Sequence, residues 1–153
     1  MRGRALPARG FSLLEVILVL AIVALASLLA AAAIGGGADG MRLRSAAKEV
    51  AAGLRHTRAQ ALATGEAQRF VIDPEAHTWT APKQRDGALS DKLSIVFTGA
   101  REVQPEEGVG AIVFFPDGAS TGGRVQLAIG EAAWQVDVAW LTGQVRVSRL
   151  ERQ

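Results

Sequence analysis

Residues 9–34 read Arg9-Gly10-Phe11-Ser12-Leu13-Leu14-Glu15 and then VILVLAIVALASLLAAAAI, from Val16 to Ile34. No side chain from Val16 to Ala38 is charged. Coiled as a helix at about 1.5 Å per residue, Val16 to Ile34 would be about 28 Å long, close to the thickness of a bilayer's hydrocarbon core. Arg2, Arg4 and Arg9 precede the run. Basic residues on that side keep it cytoplasmic, so everything after Ile34 is expected across the membrane.

Three readings compete for this segment. A secretory signal peptide has the same basic start and apolar middle, with Ala30 to Ala33 as a small-residue stretch for cleavage. An uncleaved signal anchor is equally compatible with the span length. Neither accounts for Glu15. A carboxylate in a membrane helix costs on the order of 2.5–3.5 kcal/mol at mid-bilayer and less near the interface, so it calls for a partner. Cleavage between Gly10 and Phe11 would supply one: a new α-amino group, in the same chain or a neighbouring subunit, able to neutralise Glu15. On this third reading Glu15 is an assembly device.

The combination Gly10-Phe11, Glu15 and a following apolar run resembles the type IV prepilin signal, GFxxxE before about twenty apolar residues. The resemblance implies that a prepilin peptidase cuts after Gly10 on the cytoplasmic side, methylates Phe11 and leaves a mature chain from Phe11 to Gln153. Residues 1–10 would then be a leader peptide and 11–34 a transmembrane and assembly helix. Many members of that family carry a proline about two-thirds along the apolar helix. This chain instead has Gly35, Gly36, Gly37 and Gly40 after its alanine stretch. Each glycine costs a helix nearly 1 kcal/mol, so residues 35–40 are expected to form a break or weak segment, with Asp39 as N-cap of a second helix. The same residues also read as a flexible juxtamembrane linker.

From Met41 to Gly65 the period is helical. Leu43, Ala47, Val50, Leu54, Ala61 and Leu62 recur at three- and four-residue spacing, with Arg44, Lys48, Arg55 and Arg58 mainly elsewhere. Beyond Gly65 the period approaches two. Seven strands are predicted: Gln68 to Ile72, His77 to Thr80, Leu93 to Phe97, Ala111 to Phe115, Arg124 to Ile129, Trp134 to Trp140 and Val145 to Arg149. Turns at Gly130-Glu131-Ala132 and Leu141-Thr142-Gly143-Gln144 would make the last three a meander. The fold class is therefore α+β: a long N-terminal helix, apolar then amphipathic, followed by an antiparallel β domain over residues 66–153.

Between strands lies Phe115-Pro116-Asp117-Gly118-Ala119-Ser120-Thr121-Gly122-Gly123. Pro-Asp-Gly is a turn, and the glycines permit positive φ. A phosphate cradle would need a GK[ST] element and a following helix, and both are missing. The segment resembles the FxPDGxSxGG-like stretch of the pilin subfamily that contains minor pseudopilin H of type II secretion and certain minor type IV pilins. Phe115, Pro116, Asp117, Gly118, Ser120, Gly122 and Gly123 carry that resemblance.

Composition bounds the remaining classes. The 153 residues suffice for one compact domain plus an anchor, and the 49% hydrophobic content partly reflects the apolar run. There is no cysteine, which removes disulfides and thiolate metal sites. From Asp39 onward fourteen basic residues face fourteen acidic ones, so the pI of about 9.7 makes no global case for a polyanion partner. His56 and His77 lack metal-ligand spacing, and no nucleophile elbow or paired-carboxylate motif is present, so no catalytic site, cofactor or metal is expected.

The family resemblance implies a minor pseudopilin, a structural subunit of the periplasmic pseudopilus of a type II secretion system. It would be single-pass in the bacterial inner membrane, N-terminus cytoplasmic and C-terminal domain periplasmic. The implied partners are prepilin peptidase, other major and minor pseudopilins, the inner-membrane assembly platform and membrane lipid. The alternative is a minor type IV pilin acting in pilus assembly, adhesion or DNA uptake. Under that alternative, nucleic acid would meet Arg146, Arg149 and Arg152, although strand alternation puts Arg146 and Arg149 on opposite faces.

Overall fold

Helical spacing of apolar residues is what organises the chain from Met41 on, and the computed structural model, which describes residues 12–150 and only the backbone of 29–37, shows what that stripe packs against. Helix α1 runs Leu13–Thr64 and is followed by eight strands. These are β1 (Gln68–Asp73), β2 (Thr78–Ala81), β3 (Arg85–Ala88), β4 (Ser94–Gly99), β5 (Gly110–Phe114), β6 (Gly123–Ile129), β7 (Ala132–Val138) and β8 (Val145–Leu150). The chain divides into two units, Met1–Ala38 and Asp39–Gln153, and α1 contributes to both.

Ser12 starts the helix. Its hydroxyl accepts from the Glu15 N–H at 3.2 Å and its carbonyl from the same N–H at 3.0 Å, which satisfies one of the donors a helix start leaves orphaned. At the far end Gly65 takes φ 69° and donates to the Ala61 carbonyl at 3.1 Å, the left-handed stop that glycine adopts without penalty. The break expected at residues 35–40 is not found: those residues are helical. Glycine weakens a helix but keeps its N–H, whereas proline removes it, and no proline stands here. Asp39 lies inside the helix rather than capping it, its carboxylate 2.9 Å from Arg42 one turn on.

In the second unit the antiparallel strands form two four-stranded sheets, ordered β3-β2-β1-β5 and β4-β6-β7-β8. One face of α1 closes both. Leu43, Ala47, Val50, Leu54 and Ala61 are fully buried, together with Phe70 and Ile72 of β1, Ile112 and Phe114 of β5, Val125 and Leu127 of β6 and Val136 of β7. Each large side chain so buried contributes about 1.5–3 kcal/mol. Leu62, expected in the stripe, is instead 48% exposed, because one further residue around the helix carries it from the core face to the flank.

Seven of the strands match the predicted ones to within a few residues, and β6, β7 and β8 pair consecutively as a meander. Strand β3 was not predicted. Arg85-Asp86-Gly87-Ala88 has no alternating apolar pattern and becomes a strand by pairing with β2. Gly87 is needed there because a Cβ would fall on the Trp79 indole and on Glu49, whose carboxylate accepts a 3.2 Å hydrogen bond from the indole N–H.

Gly53 on α1 lies under the stacked rings of Phe70 and Trp79, whose centroids are 5.6 Å apart. A Cβ at that position would come within 2.8 Å of Phe70 and 2.9 Å of Trp79. Gly53→Ala therefore sets a helix-propensity gain of about 1 kcal/mol against an overpacking cost of about 1–3 kcal/mol, and the clash with two rigid rings prevails. The expected result is a lower denaturant midpoint in the detergent-solubilised full chain, read by tryptophan fluorescence. A raised midpoint would show that the ring stack yields freely.

Candidate functional site

The segment that follows β5 must carry the chain from one sheet to the other, and it does so as a clasp held on three sides. Pro-Asp-Gly makes the tight turn: Gly118 N–H donates to the Phe115 carbonyl at 2.9 Å, and Phe115 N–H to the Ala119 carbonyl at 2.9 Å. Asp117 fixes that turn through its carboxylate, which accepts from Ala119 N–H at 2.9 Å. Gly118, with φ 87°, is the left-handed residue that such a turn requires.

Ser120 ties the segment to the β7–β8 connection. Its N–H donates to the Trp140 carbonyl at 2.7 Å and its hydroxyl to the Ala139 carbonyl at 3.2 Å, while the same hydroxyl accepts from Gly122 N–H at 3.0 Å. Thr121 closes back on β5: its N–H reaches the Val113 carbonyl at 2.9 Å, and Val113 N–H reaches its hydroxyl at 3.1 Å. Arg58 of α1 supplies the third attachment, donating from Nε to the Gly118 carbonyl at 3.2 Å. Gly143, at φ 59°, makes room, since a Cβ there would fall on that carbonyl and on the Arg58 side chain.

The predicted loop residues thus divide by role. Gly118, Ser120 and Gly122 are buried and hold the clasp together; Gly123 is half-buried and opens β6; Phe115, Pro116 and Asp117 are exposed. Arg58 and Gly143 complete the arrangement and were missed as part of it: Arg58 lies far away on the helix, and the turn signature of Gly143 marks the β7–β8 connection without showing that folding brings it to Gly118. Trp140 and Leu141, 69% and 66% exposed, flank it on the outside.

Glu15 sits in the first turn of α1, exposed, its own N–H capped by Ser12. The partial positive charge of a helix N-terminus favours a carboxylate there by about 0.3–1 kcal/mol. Gly10 and Phe11 lie outside the described residues. Among the described residues no helix is long and apolar enough to cross a membrane. Of the run from Val16 to Ile34, side chains are described only to Leu28, and Leu13, Leu14 and the large apolar residues from Val16 to Leu28 are all exposed.

Among the described residues no group of three or more His, Asp or Glu side chains is disposed to hold a metal. His56 contacts the Pro82 carbonyl at 3.3 Å and His77 the Leu93 carbonyl at 2.8 Å, so both are engaged within the fold. Arg146 bonds Gln144 while Arg149 stands opposite Trp134 of β7; Arg152 lies outside the described residues.

Residues 46–143, which contain most of the amphipathic part of α1 and the whole clasp, match the family described as type II transport protein GspH. The chain belongs to the GspH family. Residues 7–31 match the prokaryotic N-terminal methylation motif, a span that includes Gly10, Phe11 and Glu15. The chain is 60% identical over 138 residues to type II secretion system protein H of Xanthomonas campestris pv. campestris, covering 90% of this chain and 82% of that protein.

Solved structures share the pilin-like fold of this GspH family member. The minor pseudopilin EpsH of the Vibrio cholerae type 2 secretion system aligns with TM-score 0.57 at 13% identity, over 71% of this chain and 97% of its own. The type IV minor pilin FimU of Pseudomonas aeruginosa aligns with TM-score 0.53 at 14% identity, over 69% and 92%.

The clasp makes two contrasting variants informative. Arg58→Ala removes a charged donor from a buried carbonyl and is expected to destabilise the second unit by about 1.5–3 kcal/mol, whereas Asp117→Ala loses one exposed turn bond and costs about 0.5–1.5 kcal/mol. Denaturant midpoints compare them; equal losses would mean that the helix attachment is dispensable.

Proposed function

We infer that this chain is a minor pseudopilin, a structural subunit of the pseudopilus of a type II secretion system. The observation that carries the reading is the start of α1: apolar on every side from Val16 to Leu28 and exposed on every side there, in a stretch whose sequence carries Glu15 as its single charge between Leu13 and Ala38. Such a surface is stable only when lipid or other protein covers it. A filament subunit needs both in turn, lipid while it waits in the inner membrane and neighbouring helices once it is assembled.

Processing supplies the partner for Glu15. Prepilin peptidase cuts between Gly10 and Phe11 and methylates Phe11, which removes Arg2, Arg4 and Arg9 and leaves a charged secondary amine. That amine and the Glu15 carboxylate neutralise each other, in one chain or between neighbours, which lowers the penalty of carrying the carboxylate into an apolar filament core. The β domain then lies in the periplasm. Its partners are the other major and minor pseudopilins and the inner-membrane assembly platform. The 60% identity to a type II secretion protein H supports secretion over a type IV pilus, since the likeness to FimU speaks for fold alone.

Intact mass and N-terminal peptide analysis of membrane-extracted protein, with and without co-expressed prepilin peptidase, tests the reading. A peptidase-dependent start at Phe11 carrying one methyl group is expected. A start near Ile34 independent of that peptidase would mean an exported soluble domain, and an intact Met1 a simple anchor; either would overturn the proposal. Glu15→Leu should leave cleavage and methylation intact while lowering recovery in the sheared filament fraction by at least about tenfold, the equivalent of 1.4 kcal/mol. Unchanged recovery would remove Glu15 from assembly.

A further inference from the structure

Strand β8 is an outer strand: within its sheet it pairs with β7 alone, so the backbone groups it turns away from β7 have no strand partner. It lies beside one flank of α1. Near its start the Val145 carbonyl accepts from Arg55 at 3.2 Å. Near its end Arg149 stands opposite Trp134, whose ring has the Arg44 guanidinium 6.0 Å from its centroid. Strand and helix thus run side by side in opposite directions, from Arg55 and Val145 to Arg44 and Arg149.

The flank facing that edge is cationic. Arg44, Lys48, Arg55 and Arg58 succeed one another at spacings that keep them on one side of a helix. Glu49, the one carboxylate between Met41 and Thr64, lies on the other flank against the Trp79 indole of β2. The ion pairs among the described residues are Arg42 with Asp39 and Arg124 with Asp137, so none of the four, nor Arg149, is matched to a described carboxylate. Glu131, in the turn before β7, pairs with none of them.

We propose that β8 and the basic flank of α1 form a docking groove for an acidic, extended segment of a neighbouring subunit, which adds to the sheet as a further strand. The inference deepens the pseudopilin reading, which supplies the neighbour. Cations beside an open edge repel basic strands and disfavour apolar ones, and they admit a strand that brings carboxylates, so the same residues that protect the edge select its occupant. A polypeptide is favoured over nucleic acid because only a main chain offers both donors and acceptors in register with a strand.

The test uses the detergent-solubilised full chain and a fluorescein-labelled ten-residue peptide of alternating glutamate and valine. Its comparisons are the same peptide N-methylated at every second residue, which cannot complete a ladder, and a ten-nucleotide oligothymidine. The glutamate peptide is expected to bind, to weaken at high salt, and to lose at least about tenfold both on N-methylation and in the Lys48→Glu/Arg149→Glu double variant. Arg69→Glu, exposed on β1, should bind as the parent does. Should the double variant melt early, Lys48→Gln/Arg149→Gln replaces it, and the N-methylated peptide needs no variant. No binding, equal binding of the methylated peptide, or tighter binding of the oligonucleotide would each overturn the proposal. All three are independent of whether the mature chain begins at Phe11, so failure here leaves the processing result standing.

Discussion

One helix face serving two sheets is the constraint on which the second unit depends. Each four-stranded sheet has an apolar face to bury, and the face of α1 from Leu43 to Ala61 is what both bury it against. That sharing limits what the helix can carry. Small residues recur along it at Ala46, Ala47, Ala51 and Ala61, and at Gly53 there is no side chain at all, which lets the Phe70–Trp79 stack sit directly on the helix. Where the sheets meet, Phe97 of β4 lies over Gly99 of its own strand and Gly110 of β5, and a Cβ at either glycine would collide with the ring. Aromatic bulk is accommodated by glycine at each crowded point.

The clasp has its origin in the same arrangement. Because β5 ends one sheet and β6 lies in the other, the chain between them must cross with its backbone groups satisfied. Ser120, Thr121 and Arg58 meet that demand from three directions: the β7–β8 connection, β5 and the helix. The segment that most resembles a family signature is therefore a mechanical joint. Phe115 of the segment and Trp140 and Leu141 of the β7–β8 connection are left on the surface around it.

The first unit is governed by a different balance. Ser12 satisfies an orphan donor and Glu15 sits where the helix dipole favours a carboxylate, so both polar residues at the start of the apolar helix have a local electrostatic reason to be there. That local gain is compatible with, and smaller than, the neutralisation that a charged terminal amine would bring. Helicity persists through residues 35–40 because flanking alanines and the Asp39–Arg42 pair favour it and no proline interrupts the hydrogen-bond ladder.

Sequence by itself determined the features that depend on near neighbours in the chain. The uncharged run after Glu15, the three- and four-residue spacing from Leu43 to Ala61, the alternation in seven strands and the Pro-Asp-Gly turn are local patterns with local causes, and they sufficed for the fold class and the family. Tertiary structure decided what depends on distant partners. Strand β3 exists because β2 offers an edge; Leu62 is exposed because the stripe is narrower than its spacing suggested; Arg58 and Gly143 matter because folding brings them to Gly118. The cationic flank beside β8 likewise becomes a groove only when residues about a hundred positions apart are packed together, since net charge summed along a chain is blind to which side chains share a surface.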